Sequence, residues 1–258
     1  MKNIPNHSKY IFKEKASNYC LVIPVINEGE RIIRQIKSLK KISESIDVII
    51  ADGGSNDGSL KSNFLIKNNV RALLIKNDTG KLSSQLRIAY NYALNENYIG
   101  IITVDGNAKD SMESVFLFIK YFELGYDMIQ GSRFIEGGKE VNTPIIRSLA
   151  IKYIHAPITS LIAGFNYTDT TNGFRGYSKK FLEHPKVLPF RDIFKTYELL
   201  SYLSVKAPRL GLKTCEIPVT RSYPKGKTPT KISPLYGNIN LLLILFYLLI
   251  GKYNIKWL

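Results

Sequence analysis

Short runs of branched aliphatic residues recur along the first half of the chain, and each run stops at a polar residue or a glycine. Runs of this length and composition are typical of buried strands in a parallel sheet. They predict strands at Cys20–Val25, Ile46–Asp52, Val70–Ile75, Ile99–Asp105 and Asp127–Gln130.

Segments with an apolar residue at every third or fourth position separate most of these runs. After the first strand, for example, Ile32, Ile33, Ile36 and Leu39 fall on one helical face. The predicted helices are Glu30–Ile42, Ser59–Ile66, Leu82–Leu94 and Met112–Leu124. Alternating strands and helices predict an α/β fold with a mostly parallel, Rossmann-like central sheet flanked by helices.

Near the C-terminus, Ile239–Ile250 (INLLLILFYLLI) is almost wholly apolar. A helix of this length reaches only about 18 Å, whereas the hydrocarbon core of a bilayer is about 30 Å thick. We expect such a helix to lie in one membrane leaflet, and nearby Trp257 favours a membrane interface. Burial in the protein core or in a homo-oligomer contact is the alternative.

Charge points to an anionic partner. Lys and Arg outnumber Asp and Glu by 36 to 21, for a net charge of +15. A nucleic acid, a phosphorylated small molecule and an acidic membrane surface all fit this balance, but the absence of RRM, KH or zinc-finger signatures argues against nucleic acid. Two distant cysteines and the lack of a secretory signal favour a cytoplasmic location.

Polar stretches follow three of the predicted strands: residues 24–28 (PVINE), 52–58 (DGGSNDG) and 105–107 (DGN). Each stretch alone is compatible with an ordinary turn. Ligands of parallel sheets bind beyond the carboxyl ends of the strands, so three acidic strand ends on one edge favour a binding site. Because neither G-x-G-x-x-G nor a Walker A sequence is present, nucleotide-sugar chemistry is a better fit than redox chemistry or ATP hydrolysis.

Five motifs occur in an order that resembles family 2 glycosyltransferases of the GT-A fold: LVIPVINEGERI, IIADGGSNDGS, TVDGNAKDS, MIQGSRFIEGG and DTTNGFRGYSKKFL. The likeness is strongest to the polyprenyl-phosphate branch, which includes dolichyl-phosphate mannosyltransferase. It implies an N-terminal extension (1–18), a GT-A domain (19–233) and a C-terminal apolar helix (234–258).

The resemblance also implies a reaction. A sugar would pass, with inversion, from a nucleoside diphosphate sugar to a polyprenyl phosphate, assisted by Mg²⁺ or Mn²⁺, in a protein peripheral to the cytoplasmic face of the membrane. Transfer to a sugar hydroxyl of a surface glycan is the alternative reaction. A noncatalytic module that binds a nucleotide sugar or an anionic lipid is the alternative from another class.

The nucleoside and metal residues follow from matching positions. Pro24, Glu28 and Asp52 match residues that hold the nucleoside in such enzymes. Asp105 matches the first acid of the metal-binding D-x-D, and Asn107 stands at the second. Two departures from the pattern weaken the match, because Asn107 is an amide and a glycine follows Asp52 where an aspartate is usual. We therefore expect the cation to be bound loosely or to use another acid such as Asp110, with Lys109 as a direct source of positive charge.

Cations in the second half are candidate phosphate ligands, since planar guanidinium groups suit bidentate phosphate recognition. The resemblance associates Arg133, Arg147 and Arg221 with donor and acceptor phosphates, and Arg175 is a further candidate. Lys231 matches a basic residue on a loop, here YPKGKTPTK at residues 223–231, that would close over the phosphates. A charged connector is the alternative role for that segment.

The acceptor decides whether a base is needed. A phosphate is already an oxyanion, whereas a sugar hydroxyl must lose a proton. Asp169 and Glu198 are the candidate bases, with Asp169 preferred because it adjoins the NGFR motif, although each also fits a capping or solvated role. Asp105, Asp169 and Arg133 are thus the predicted catalytic residues.

Overall fold

The central sheet contains strands from both the N-terminal and the C-terminal half of the chain. The computed structural model describes residues 2–224 and 236–254, without the side chains of 236–239. Within these ranges the strands are β1 (His7–Ile11), β2 (Tyr19–Val25), β3 (Asp47–Asp52), β4 (Val70–Lys76), β5 (Gly100–Thr103), β6 (Met128–Ser132), β7 (Lys139–Val141), β8 (Arg175–Ser178), β9 (Thr214–Pro218) and β10 (Thr220–Ser222).

Helices cover both faces of that sheet. They are α1 (Glu30–Ser38), α2 (Ser62–Lys67), α3 (Leu82–Asn95), α4 (Val115–Glu123), α5 (Ile145–Ala150), α6 (Ala156–Ala163), α7 (Lys179–Leu182), α8 (Glu198–Arg209) and α9 (Tyr236–Leu249). Short 3₁₀ helices occupy Ile42–Glu44 and Met112–Ser114, and a π-helical stretch at Ile151–His155 joins α5 to α6.

The strands lie in the order β1-β4-β3-β2-β5-β8-β6-β9, and β7 pairs with β10 in a separate ribbon. Strands β4, β3, β2 and β5 run parallel, as do β6 and β9, while β1 and β8 are antiparallel to their neighbours. The predicted mostly parallel α/β sheet is therefore confirmed. All five predicted strands are present with ends within two residues of the expected positions.

The first predicted helix, Glu30–Ile42, differs most, because it ends at Ser38 and a short 3₁₀ helix follows at Ile42–Glu44. The predicted helix at Ser59–Ile66 begins only at Ser62, because Asp57 holds Ser59 in a turn by accepting hydrogen bonds from its N–H (3.0 Å) and its hydroxyl (2.7 Å). Strand β1 lies in the segment that was predicted as an N-terminal extension, and its half-exposed sequence HSKYI lacks an aliphatic run. The predicted domain limits themselves remain predictions.

Alternate residues of each central strand point to opposite faces, which produces two apolar clusters. On β2, Cys20 and Val22 belong to the cluster covered by α3, α6, α8 and α9. Leu21 and Ile23 belong to the cluster covered by α1, α2 and α4. Because helices cover both faces, the carboxyl edge of the parallel strands is left for binding.

Helix α9 packs one side against α6 and α8, where Ile244, Leu245 and Leu248 are buried. Phe246 and Leu249, on its other side, are more than half exposed. The alternative of burial in the protein core therefore holds for one side of the helix, and the expected membrane contact of the other side stays a prediction. No described helix combines the length and the apolar character that crossing a bilayer requires.

Candidate active site

The carboxyl ends of β2, β3 and β5 meet as the sequence predicts. The backbone N–H of Gly106 donates to the carbonyl of Pro24 (3.3 Å), and that of Gly53 donates to the carbonyl of Val25 (2.8 Å). Asp52 ends β3 opposite Val25 and is buried. The three predicted polar stretches therefore border one edge of the sheet.

Side chains fasten the first two of these stretches together. Asp52 accepts hydrogen bonds from the N–H (3.0 Å) and the hydroxyl (2.6 Å) of Ser55. The carboxylate of Asp57 accepts from the N–H of Gly29 (2.8 Å). Burial alone would raise the pKa of the Asp57 carboxyl, but the hydrogen bonds that it accepts from Ser59 and Gly29 keep that pKa below its ordinary value. Glu28 forms an ion pair with Arg31 (2.8 Å). The loops that match nucleoside-binding motifs thus form one fastened unit.

Gly53, where an aspartate was expected, has a packing reason. A Cβ at this position would lie 3.0 Å from Nε2 of Gln85, tighter than nearly all real contacts. The Gln85 amide donates to the carbonyls of Val25 (2.8 Å) and Ala51 (2.9 Å) and so joins β2 to β3. The missing acid therefore makes room for a cross-strand clamp that the sequence did not reveal.

Asp105 lies between a glycine and an arginine. Nη2 of Arg221 donates to Oδ2 of Asp105 (2.8 Å), while Nη1 donates to Asp110 and to Oδ1 of Asn172 (3.3 Å). A Cβ on Gly173 would lie 2.3 Å from Oδ1 of Asp105, so any larger residue there would displace the Asp105 side chain. Sequence reasoning missed Gly173, although it sits in the quoted NGFR motif.

Oxygen ligands for a divalent cation are present but few. Asn107 points its Nδ2 at Oδ2 of Asp105 (3.5 Å), and its buried Oδ1 has no hydrogen-bond partner among the described residues. An unpartnered oxygen beside a carboxylate fits Mg²⁺, which binds proteins through one or two side chains and takes other ligands from phosphates and water. Within residues 2–224 and 236–254, no cluster of three or more His, Cys, Asp or Glu side chains fits a metal ion.

Asp110, the predicted substitute metal ligand, is engaged by an arginine through one of its two oxygens. Its side chain is fully buried and pairs with Arg221. Burial raises the pKa of the Asp110 carboxyl above its ordinary value, although the charge of Arg221 opposes the rise. Asp110 therefore anchors Arg221 through Oδ2, while its buried Oδ1 has no hydrogen-bond partner among the described residues, so its role as a substitute metal ligand stays a prediction.

Gln35 on α1 holds the loop that follows β5. Its Nε2 donates to the carbonyl of Asp105 (3.0 Å), and its Oε1 accepts from the N–H of Ala108 (2.8 Å). Ala108 has a φ of 55°, which is unusual for a residue with a side chain. The hydrogen bonds of Gln35 therefore fix the backbone on both sides of Asn107.

Four cations surround Tyr223. The amine of Lys109 lies 4.8 Å from the ring centre, and the guanidinium carbons of Arg147 and Arg221 lie 5.6 and 5.8 Å from it. Burial alone raises the pKa of the Tyr223 hydroxyl, but Arg221, Arg147 and Arg133 together lower it below its ordinary value. A field this positive suits an anion with several charges.

The structure does not support Asp169 as a base. Its side chain is fully buried, and it accepts hydrogen bonds from Nε (2.6 Å) and Nη2 (2.9 Å) of Arg133. A base needs access to the acceptor proton, and this carboxylate has none. Asp169 is instead a positioning residue for Arg133, whose buried Nη1 has no hydrogen-bond partner among the described residues.

Arg175 is likewise structural and not a phosphate ligand. Its buried guanidinium donates to the carbonyls of Thr170 (2.7 Å), Asn172 (2.9 Å) and Leu200 (2.7 Å) and to the hydroxyl of Ser204. These bonds use its donors to hold the 170–175 turn against α8. Four of its five N–H donors are therefore engaged within the protein.

Glu198 is the start of α8, and its carboxylate accepts from the N–H (2.7 Å) and the hydroxyl (2.6 Å) of Thr196. Both carboxylate oxygens of Glu198 are thus engaged locally, so the predicted base role is not supported. Lys231, most of the predicted 223–231 loop and Trp257 lie outside the described residues.

Comparison with known proteins adds three findings. The family model "Glycosyl transferase family 2" matches residues 20–184. The chain is 22% identical to the polyprenol monophosphomannose synthase of Mycolicibacterium smegmatis, covering 78% of this chain and 76% of that protein. It is 23% identical to the undecaprenyl-phosphate mannosyltransferase of Micrococcus luteus, with coverages of 77% and 81%.

A solved structure shares the fold. The glucosyl-3-phosphoglycerate synthase of Mycobacterium tuberculosis, in complex with Mn²⁺, UDP and glucosyl-3-phosphoglycerate, superposes with a TM-score of 0.64 at 14% identity. The superposition covers 91% of this chain and 79% of that one. A protein of this fold therefore binds a divalent cation together with a nucleoside diphosphate.

Proposed function

This chain belongs to glycosyl transferase family 2 and is a glycosyltransferase, and from that membership we propose that it transfers a sugar from a nucleoside diphosphate sugar to a polyprenyl phosphate. Two relatives are named for sugar transfer involving such a lipid. The proposal rests above all on the cation cluster around Tyr223, which adjoins Asp105 through Arg221.

The same cluster favours a phosphate acceptor over a sugar hydroxyl. Both candidate bases are engaged, Asp169 by Arg133 and Glu198 by Thr196. An acceptor phosphate needs no base, since it is already ionised. The chemistry that these residues support is therefore attack by a phosphate oxygen.

In the proposed reaction, the loops holding Pro24, Glu28 and Asp52 bind the nucleoside and present the diphosphate to Asp105. An oxygen of the acceptor phosphate bonds to the anomeric carbon, the bond from that carbon to the donor phosphate oxygen breaks, and the nucleoside diphosphate leaves with the electron pair. Attack opposite the leaving group inverts the anomeric carbon.

Charged residues divide the task. Arg221 would orient the diphosphate beside Asp105, and Arg133 and Arg147 would hold the acceptor phosphate. Asp105 and Asn107 would hold Mg²⁺ or Mn²⁺, which when bound supplies positive charge to the leaving diphosphate. Lys231 is proposed as a further phosphate ligand on the strength of the motif match.

A lipid acceptor also accounts for exposed apolar side chains on α5, α6 and α9. Ile146 is 84% exposed and is the neighbour in sequence of Arg147. Leu161 and Phe246 are exposed on α6 and α9, which pack together. We place these helices against the cytoplasmic face of the membrane, where the net charge of +15 attracts anionic lipids. A homo-oligomer contact is the competing use of the same surface.

The test combines purified protein with a panel of nucleotide sugars, Mn²⁺ and a polyprenyl phosphate. We expect nucleoside diphosphate release that requires the lipid phosphate and is abolished by Asp105→Ala in a folded variant. Release without the lipid would instead indicate hydroxyl transfer or hydrolysis. No release under any condition would indicate a noncatalytic module, a role compatible with the amide at position 107.

A further inference from the structure

Lys109 is a buried cation that the proposed reaction has not yet used. It is 9% exposed, and its amine makes no hydrogen bond or ion pair with any residue in 2–224 or 240–254. Its contacts are the Tyr223 ring at 4.8 Å and the charges of Arg221, Arg147 and Asp105. Two of those three charges repel it.

Backbone hydrogen bonds fix the position from which the Lys109 side chain extends. The carbonyl of Lys109 accepts a hydrogen bond from the N–H of Ser222 (2.7 Å), and the N–H of Ser111 donates to the carbonyl of Thr220 (3.0 Å). Between them, Asp110 forms an isolated bridge with Arg221. The backbone of Lys109 is therefore fixed against β10, and its side chain extends over the Tyr223 ring.

Nearby carboxylates are already committed. Arg221 pairs with Asp105 and Asp110, and Arg133 pairs with Asp169. Arg147 has no carboxylate partner among the described residues and donates to the Tyr223 hydroxyl (3.3 Å). A largely buried lysine whose amine has no ion-pair partner is costly, and the cost falls when an anion binds. Among the described residues the cluster thus has more cations than carboxylates, and an anionic ligand would neutralise the excess.

We propose that Lys109 is a built-in cation for the donor diphosphate, which shares the charge-neutralising role with the divalent metal. This inference rests on the proposed function. Lys109 follows Asn107 by two residues on the loop after β5, the loop that would hold the metal. Because an amide replaces an acid at position 107, the loop attracts a divalent cation less strongly than two carboxylates would. An ammonium on the same loop offsets that loss by binding the diphosphate directly.

The consequence is a measurable coupling between Lys109 and the metal. Inorganic pyrophosphate, which carries the two phosphates without a base, is titrated calorimetrically into the full-length protein in Mg²⁺ and in EDTA. We expect wild type to bind pyrophosphate in both. Lys109→Met should lose about tenfold in affinity in EDTA and only about threefold in Mg²⁺, because each cation partly compensates for the other.

Two further variants make the result specific. Lys109→Arg, which keeps the charge, should retain most of the affinity in EDTA. Lys206→Gln is the matched control, since Lys206 also lies over a tyrosine ring (Tyr202, 5.9 Å) near two arginines but on α8. Lys206→Gln should leave the pyrophosphate affinity unchanged both in Mg²⁺ and in EDTA. Lys109→Gln should lose the same affinity as Lys109→Met, so the test can still be made if one of the two variants does not fold.

The outcomes separate the two proposals. The role of Lys109 would be overturned if its variants lost the same affinity with and without Mg²⁺, or lost none. It would also be overturned if wild type bound no pyrophosphate in EDTA. In these cases the transferase proposal stays intact. Absence of pyrophosphate binding by wild type in both buffers would overturn the diphosphate pocket and this inference together.

Discussion

Replacing Gly173 by alanine tests whether the glycine is there to accommodate Asp105. The new methyl group would lie 2.3 Å from Oδ1 and 2.9 Å from Cγ of Asp105. Ordinary contact requires the two side chains to separate by about 1 Å more. The neighbours Asn172 and Phe174 are fully buried, so the 173 backbone has little freedom to retreat. The displacement therefore falls on Asp105, whose Oδ2 lies 2.8 Å from Nη2 of Arg221.

Overpacking of this kind costs about 1 to 3 kcal/mol, so Gly173→Ala should lower the free energy of unfolding by about 2 kcal/mol. In an Asp105→Ala background the obstructing carboxylate is absent, and the same substitution should cost less than about 0.5 kcal/mol. Urea unfolding of the four proteins in this double-mutant cycle, followed by circular dichroism, measures both values.

Asp105→Ala is itself expected to fold, because Arg221 keeps its bonds to Asp110 and Asn172. Gly173→Ala should also lose nucleotide release, since the shifted carboxylate leaves its place in the site. An equal cost of Gly173→Ala in both backgrounds would show that the methyl group clashes with something other than Asp105, and the steric reasoning would fail.

Three further expectations follow from single contacts. Burial, with help from the charge of Arg175, lowers the pKa of His155 to about 4. The free energy of unfolding should therefore fall by at most about 3 kcal/mol as the pH drops from about 6.5 to 4. Urea unfolding across that pH range measures this change, which should be absent in His155→Gln. Asp169→Asn should lower the free energy of unfolding by about 3 kcal/mol because it leaves Arg133 buried and unpaired; unchanged stability with transfer abolished would instead restore a base role. Ile146→Glu should weaken sedimentation with anionic vesicles about tenfold, whereas Ile66→Glu, at an exposed isoleucine of α2, should not.

The elements that could be predicted are those built by local pattern. The aliphatic runs of β2 to β6 locate the strands, and the parallel-sheet rule places Asp52 and Asp105 on one edge. The GT-A type of fold implied by the five motifs is confirmed by the family match and the solved structure. Strands β1 and β8 were missed because HSKYI and RGYS carry no aliphatic run, and their pairing depends on partners distant in sequence.

Side-chain roles were harder to predict because tertiary packing chooses the partner of each charge. Arg175 and Arg133 both follow motif positions, yet one bonds to backbone carbonyls and the other to a buried carboxylate. The sequence contains nothing that separates these outcomes. Gly173 and Gln35 were missed for a related reason, since their importance lies in contacts with Asp105 that only the folded chain creates.

Arg221 is the point at which the two halves of the site meet. Its Nη1 is bound to Asp110 and Asn172, which are buried and fixed, whereas its Nη2 is bound to Asp105, whose side chain is 29% exposed. Asp105 is thus the partner that can exchange. A ligand that draws the Asp105 side chain away from Arg221 would free the Nη2 donor of Arg221, which would then point toward that ligand. Ligand binding at Asp105, after β5, would therefore make the charge of Arg221, on β10, available to the same ligand. The Asp105–Arg221 ion pair links the two events, and no backbone movement is needed.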